Sequence, residues 1–286
     1  MVKIKGKLSK KLISSLIFIL ILVVIIFIIY HRKQKKIVPT PYVGKVEKRK
    51  KIIKAKKRPI VPYPRIAVII DDVGYPVSAF NRYLNFKGKL TFSVLPHLPG
   101  TKKYAKKLNK KGFEIMIHIP MEPINYPKIN PGPGALFIID NVQTINEKIK
   151  SMIDENQWAI GANNHMGSKL TQDCKKMSII LKTLKKNNLF FIDSVTTKNS
   201  CAYREAIKLK VPALKRDIFL DNKNDYGYIK SQFLKLIGIA ESRGYAIGIG
   251  HIQNIQTIRV LNSMYDNIEK YRFHFAFASE VLSSNN

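Results

Sequence analysis

Side chains that can ligate a metal or move a proton recur in this chain at one kind of place, the end of a short apolar run. Asp71 and Asp72 follow RIAVII (65–70), and Pro96 and His97 follow LTFSVL (90–95). His118 lies at the end of FEIMIHI (113–119), and Asn163, Asn164 and His165 follow the run at 158–162. Asp193 and Ser194 follow LFFI (189–192), and His251 follows YAIGIG (245–250). Carboxylates and neutral imidazoles gathered on one rim suit a divalent ion of the zinc type. Asp72, His118 and His165 supply one carboxylate and two imidazoles and leave a coordination position for water. A bound ion lowers the pKa of that water and polarises a carbonyl oxygen. Asp71, beside a ligand, is placed to take the water's proton, and His251, from a distant run, to protonate a leaving group.

Each residue also has a plainer role open to it. An Asp-Asp pair after a strand can cap the next turn through side-chain to backbone bonds. His118 within HIPMEP can be a satisfied core histidine, Glu122 a surface acid, and His97 a rim residue without chemistry. Asp193 is either the N-cap of a helix after TTKNS or a partner that orients a ligand or acid. What favours chemistry is joint occurrence at six strand ends, which a scattered structural origin would rarely produce.

The elements that must position these groups follow from the spacing of apolar residues. Short buried runs alternate with helical patterns at 104–111, 145–156, 175–187, 228–242 and 255–270, and a last strand is expected at 273–278. Repeated strand–helix units predict an α/β domain with a mostly parallel sheet, open or closed into a barrel. Both versions collect ligands at the carboxyl ends of the strands.

The formal net charge of +31 invites a nucleic-acid reading, but residues 1–65 hold 19 of the 50 basic residues and one of the 19 acids. The excess is concentrated outside the patterned region, and no helix-turn-helix, zinc-finger or aromatic RNA-binding signature accompanies it, so nucleic acid is not an expected partner. Anionic headgroups or acidic envelope polymers suit this charge better. Cys174 and Cys201 fit either one disulfide in an oxidising compartment or two free thiols.

After a basic flank at 1–11, residues 12–30 read LISSLIFILILVVIIFIIY, nineteen positions without a charge. As a helix this run spans roughly 28 Å, about the thickness of a hydrocarbon core. His31-Arg32-Lys33 follows where a cleavage site would need small residues, which predicts an uncleaved transmembrane helix. Both flanks are basic, so the positive-inside rule discriminates weakly. An N-terminal anchor ahead of a long translocated domain is the commoner plan, and it predicts a single-pass inner-membrane protein whose domain faces the periplasm or the outside of the cell. Residues 31–64 form a basic, Pro-ended linker, and 65–286 the domain.

The motifs IIDDVGY (69–75), VLPH (94–97), HIPMEP (118–123), NPGPGAL (130–136), NNHMGS (163–168), FFIDSVTT (190–197), KRDIFLD (215–221) and IGIGH (247–251) occur in that order. Together they resemble the divergent polysaccharide deacetylases of the YibQ type, related to the NodB-like carbohydrate deacetylases. The resemblance implies a distorted (β/α) barrel of about seven mostly parallel strands, a divalent metal (zinc foremost), and hydrolysis of acetyl groups from a glycan. It implies Asp71 as catalytic base, Asp72 as metal ligand and His251 as general acid. The wider group carries His-x-x-x-His on the metal; here that spacing gives His118 and Glu122, so the second ligand is either a carboxylate or lost. Strand order puts His165 in place of the missing imidazole, and Ile252 stands where this family usually has proline. His97, Asn164, Asp193 and Arg216 are expected around the rim as orienting or substrate-facing residues. The expected function is deacetylation of an envelope polysaccharide or other acetylated, peptidoglycan-type glycan. The alternative is a catalytically impaired glycan-binding module of the same fold.

Overall fold

The computed structural model describes residues 20–27 and 63–283. The chain divides into two units, Met1–Pro59 and Ile60–Asn286. Of the expected anchor, residues 20–27 are helical and exposed, and the remainder of 12–30 lies outside the described residues, as does 31–62 of the linker. Among the described residues, no helix is long and apolar enough to cross a membrane.

In the second unit nine strands form one sheet: β1 (Arg65–Val73), β2 (Thr91–Val94), β3 (Glu114–Met121), β4 (Gly161–Met166), β5 (Phe190–Asp193), β6 (Ala213–Lys215), β7 (Ile218–Phe219), β8 (Tyr245–His251) and β9 (His274–Ala276). The order is β6-β5-β4-β3-β2-β1-β8-β7, every pairing is parallel, and β9 joins β1 over its first residues. The strands at the two edges, β6 and β7, are separated in the chain only by Arg216 and Asp217. Arg216 N–H donates to Asp193 O on β5 (2.9 Å) and Asp217 N–H to Ile247 O on β8 (2.9 Å). Two residues cannot span an open nine-stranded sheet, so the sheet must curl until its edges face each other. It is an incompletely closed barrel, with no ladder between β6 and β7. The expected α/β class and parallel sheet hold, while the expected seven strands become nine, β6 and β7 being too short to leave an apolar run. The expected 158–162 strand begins only at Gly161 and runs on to Met166.

The outer wall holds α1 (Phe80–Leu84), α2 (Thr101–Lys110), α3 (Val142–Glu155), α4 (Cys174–Lys186), α5 (Ala202–Lys208), α6 (Tyr226–Arg243), α7 (Ile255–Asp266) and α8 (Ile268–Tyr271), and α9 (Ala278–Ser283) closes the chain. Helix α4 buries Met177, Ile180, Leu181 and Leu184, the i, i+3, i+4, i+7 stripe of a helix lying on a sheet. Asp173 starts it by accepting from the N–H groups of Lys175 and Lys176, both at 3.0 Å. Helix α6 begins on Asp225, which accepts from Tyr228 N–H (2.7 Å), and ends on Gly244 at φ 88°. Cys174 and Cys201 are joined in a disulfide, which decides between the two states left open for them.

Because side chains alternate across a strand, each strand divides its residues between helices and barrel interior. Ile66, Val68 and Ile70 of β1 pack outward, whereas Ala67 and Ile69 join Met116, Ile192, Ile247 and Ile249 in the interior cluster. Ala278, Val281 and Leu282 of α9 belong to that cluster and plug the amino end of the barrel. The plug is fastened where Thr91 Oγ accepts from Ala278 N–H (3.0 Å) and Glu114 Oε1 from Ser279 N–H (3.2 Å). Burial, only partly offset by these hydroxyls and amides, raises the Glu114 pKa. The plug leaves the carboxyl end of the barrel open.

Candidate metal and acid–base centre

Two residues beyond the interior apolar layer, the same strand faces turn polar. Ile69 is followed by Asp71, Met116 by His118, Ile192 by Ser194, and Ile249 by His251. Asp71 lies opposite His251 in the β1–β8 ladder and His118 opposite Asn163 in the β3–β4 ladder. Asp72 would point the other way in a regular strand, but it sits at φ 65°, where the β1–β2 register slips between Ile70 and Val73. A bulge of this kind re-aims a side chain, and it turns both carboxylates of the Asp-Asp pair toward one cavity.

Asp72 Oδ1, His118 Nε2 and His165 Nδ1 form a compact triangle. The carboxylate oxygen is 3.3 Å from His118 and 3.0 Å from His165, and the two nitrogens are 3.1 Å apart. Ligands held at 2.0–2.1 Å in tetrahedral geometry would be separated by roughly 3.3 Å. Asp72 Oδ1 is buried and, among the described residues, meets no donor beyond these two imidazoles, an expensive condition for a carboxylate unless a cation meets it. Gln253 Nε2 donates to its other oxygen at 3.1 Å. Burial alone would raise the Asp72 carboxyl, but the adjoining imidazoles hold it far below the usual range. His118, which burial would discharge, is raised by Asp71 and Asp72, so the pocket favours positive charge. These three residues fit a zinc-type ion.

A chain of hydrogen bonds fixes the lone pair that His118 presents. Asn163 Nδ2 donates to Asp71 Oδ1 (2.9 Å), and since a carboxylate only accepts, the amide orientation is set. Asn163 Oδ1 then accepts from His118 Nδ1 (2.7 Å) and from the hydroxyl of Ser93. In the neutral ring this keeps the proton on Nδ1 and would turn a bare Nε2 to a bound ion, the arrangement that orients metal-bound histidines.

Asp71 is buried, and its Oδ2 lies 3.6 Å from His118 Nε2. Burial raises its pKa against the pull of His118 and His251, making it a stronger base than an exposed carboxylate. On the facing strand His251 Nδ1 donates to Asp221 Oδ1 (2.7 Å), while Asp221 Oδ2 accepts from His251 N–H (2.8 Å) and Thr257 Oγ (2.7 Å). The His251 ring stacks near Phe219, centroids 5.8 Å apart. Burial opposes its charge, but Asp221, aided by Asp71 and Asp72, lifts the imidazole pKa to about 9. Asp221→Asn should carry the His251 titration, followed by NMR in the metal-free chain, down toward the ordinary value of about 6.5. A wild-type titration already at that value would refute the Asp221 pairing. Ile252 N–H donates to Asp71 O (3.0 Å), a bond that proline at 252 could not make.

Asp71, Asp72, His118, His165, Ser194, Phe219 and His251 line a cavity of about 200 Å³. A second cavity of about 350 Å³ shares Asp72 and His165 and is walled by Tyr75, Leu95, Leu98 and the prolines of NPGPG. The triangle therefore sits between two openings.

The structure leaves Glu122 outside the triangle. Had the chain turned helical after His118, four residues would advance it by about 6 Å; β3 stays extended to Met121, an advance of roughly 13 Å. His165, opposite Pro120 on β4, reaches the ion site diagonally instead. Glu122 is buried and accepts from Ile138 N–H (2.7 Å) and Lys169 Nζ (2.6 Å), fastening the loop that carries NPGPG. Glu122→Gln should leave zinc affinity unchanged and lower stability by about 1–2 kcal/mol through a weakened charge-assisted bond, read by chelator competition and thermal melting. A large loss of zinc affinity would return Glu122 to the ligand set.

A family model described as divergent polysaccharide deacetylase matches residues 68–282. The chain belongs to this family. Over 204 residues it is 34% identical to YibQ of Escherichia coli (strain K12), covering 71% of this chain and 63% of YibQ. The chain thus spans less than two thirds of that relative's length. A Haemophilus influenzae protein is 32% identical over 204 residues, covering 71% of this chain and 72% of its own. The crystal structure of ATU2773 from Agrobacterium tumefaciens matches with a TM-score of 0.73 at 19% identity, covering 77% of this chain and 89% of that one. A deacetylase named T48, solved with substrate, shares the fold more distantly, with a TM-score of 0.50 at 12% identity over 78% of this chain and 92% of that one.

The remaining rim residues of the domain are placed less directly. Asn164 lines the smaller cavity, but its Oδ1 accepts from Ser194 N–H (2.9 Å). Asp193 does not line the cavity and accepts from Val195 N–H (2.8 Å), Ser200 Oγ (2.8 Å) and Tyr203 N–H (3.2 Å) in the first turn of α5, whose N-cap residue is Cys201 rather than Asp193. Arg216 donates to Ser194 O (2.7 Å) and Val195 O (2.9 Å) and stacks 3.7 Å over Phe219. His97 lies against Glu155, with Nδ1 at 3.1 Å, and lines neither cavity. Asn163, Asp221 and Ser194 were not foreseen as site residues. Asn163 carries neither charge nor imidazole to mark its role, and the Asp221 carboxylate follows β7, a strand too short to show as an apolar run.

Proposed function

We propose that this chain is a membrane-anchored, metal-dependent hydrolase that removes acetyl groups from an envelope polysaccharide or peptidoglycan-type glycan. The observation that carries the reading is one cavity bounded by a three-ligand triangle, a buried carboxylate and, from the neighbouring strand, an imidazole paired with Asp221. A bound divalent ion would supply Lewis acidity toward the acyl oxygen and ease the ionisation of water. Asp71 accepts the proton of the water that attacks the acetyl carbonyl. His251, paired with Asp221, gives its proton to the sugar nitrogen or oxygen as the bond to the acyl carbon breaks. Acetic acid, which then ionises to acetate, leaves beside a neutral amine or alcohol, and the proton held by Asp71 is available to restore His251. Asn163 holds Asp71 and His118 in place from a single amide. The apolar segment at 12–30 would tether the domain to the inner membrane with the site outside the cytoplasm, next to such polymers.

The direct test is acetate release by the zinc-loaded full chain from N- and O-acetylated glycan fragments, with the chelated chain as control. Zinc-dependent release is the expected result. A stoichiometric zinc complex that releases none, yet binds these fragments, would instead establish the glycan-binding module.

A further inference from the structure

Ser194 carries a hydroxyl that has no hydrogen-bond partner among the described residues. The residue is 1% exposed, its Oγ makes no hydrogen bond, and it borders the cavity shared by Asp71, Asp72, His118, His165 and His251. It also occupies the polar layer by strand parity, two positions beyond the interior residue Ile192, as Asp71, His118 and His251 do on their strands.

Its surroundings hold it there. Asn164 Oδ1 takes the Ser194 N–H at 2.9 Å and Asp193 Oδ1 the Val195 N–H at 2.8 Å. Arg216 binds both carbonyls, Ser194 O at 2.7 Å and Val195 O at 2.9 Å. Val195 is forced to φ 47°, a region that β-branched residues avoid. Backbone strain of this sort persists where surrounding contacts over-determine it, and it concentrates at functional sites. Three side chains thus fix every backbone polar group of Ser194 and Val195, and what they leave free is the buried hydroxyl of a residue that lines the cavity. Such a group costs stability unless something outside the chain satisfies it.

We propose that the Ser194 hydroxyl is a substrate-binding group that donates a hydrogen bond to the acyl oxygen of the bound ligand. This rests on the acyl-hydrolase reading above and assigns a donor to the oxygen that gains negative charge as water adds to the carbonyl. Asn164, Asp193 and Arg216 are its positioning residues.

The probe is acetate, which carries the same oxygen chemistry, titrated calorimetrically into the zinc-loaded full chain. A hydrogen bond to a charged acceptor predicts a dissociation constant roughly 10- to 100-fold higher in Ser194→Ala. Ser194→Cys, which keeps the space filled by a weak donor, should lose nearly as much. If acetate release is observed, kcat should fall roughly 10²–10³-fold, the scale for one lost oxyanion donor. Zinc content should be unchanged, and the metal-free Ser194→Ala chain should melt at the same temperature or a few degrees higher, because an unpaired buried hydroxyl has been removed. Acetate binding equal to wild type in both variants overturns the proposal, as does a zinc-loaded wild type that binds no acetate. A chain that binds acetate through Ser194 but hydrolyses no acetylated glycan would defeat the deacetylase reading and leave this inference standing. Hydrolysis that survives both substitutions would do the reverse.

Discussion

Asp71→Asn should reduce acetate release roughly 10²–10⁴-fold, the usual scale for a positioned base, with zinc content and melting temperature little changed. The substitution keeps the size of the side chain and one acceptor oxygen for Asn163 Nδ2, which now stands 2.9 Å away. It removes the one carboxylate in the cavity that is not part of the ligand triangle. His251→Gln should cost a similar factor, since the charge-paired imidazole is the proton donor on the facing strand. The pH dependence separates the two roles. Loss of the protonated imidazole predicts a rate that declines as pH rises through about 9, and Asp221→Asn should move that limb to lower pH. The linkage carries the same sign: the His251–Asp221 contribution to stability is complete below the unfolded histidine value of about 6.5 and is lost as pH rises through the folded one. If Asp71→Asn leaves the rate within threefold of wild type while zinc remains bound, the base is elsewhere and the proposed mechanism fails.

Much of this arrangement could be read from the sequence because a parallel sheet converts local order into spatial convergence. Once 65–70, 113–119, 189–192 and 245–250 are recognised as strands, Asp71, His118, Ser194 and His251 must arrive at one end. What was missed traces to parity and to backbone kinks. Between Asp193 and Ser194 the acid drew attention, yet the period of two that puts Ile192 inside puts Ser194 inside and turns Asp193 toward α5. Between Asn163 and Asn164 the same rule gives Asn163 to the interior, where it bonds His118 and Asp71. Asp72 breaks parity through a positive φ that no residue pattern announces. Strands β6 and β7 escaped because three- and two-residue pairings depend on the neighbouring β5 and β8 rather than on their own apolar content. Glu122 shows the converse error: four-residue spacing suggests a ligand pair only when the chain turns helical, and β3 does not.

Removing one corner of the triangle should have the largest effect on metal binding. The wild-type full chain is expected to hold about one zinc ion after dialysis against metal-free buffer, and His165→Ala to lose it. Only two protein ligands would then remain, Asp72 Oδ1 and His118 Nε2, 3.3 Å apart, and neither of the other nearby acids can swing in. Asp71 is pinned by Asn163, and Glu122 by Ile138 and Lys169. Asn163→Ala tests the support instead of the ligands. It removes the acceptor that keeps the His118 proton on Nδ1, freeing the ring to turn or to protonate Nε2, and such losses cost roughly 10–100-fold in metal affinity. Chelator competition should therefore rank the affinities wild type, then Asn163→Ala, then His165→Ala, with Glu122→Gln beside wild type. Because His165 comes from β4 and Glu122 from the end of β3, the inverse ranking of those two would mean that the metal follows the spacing in the chain rather than the diagonal across the strands.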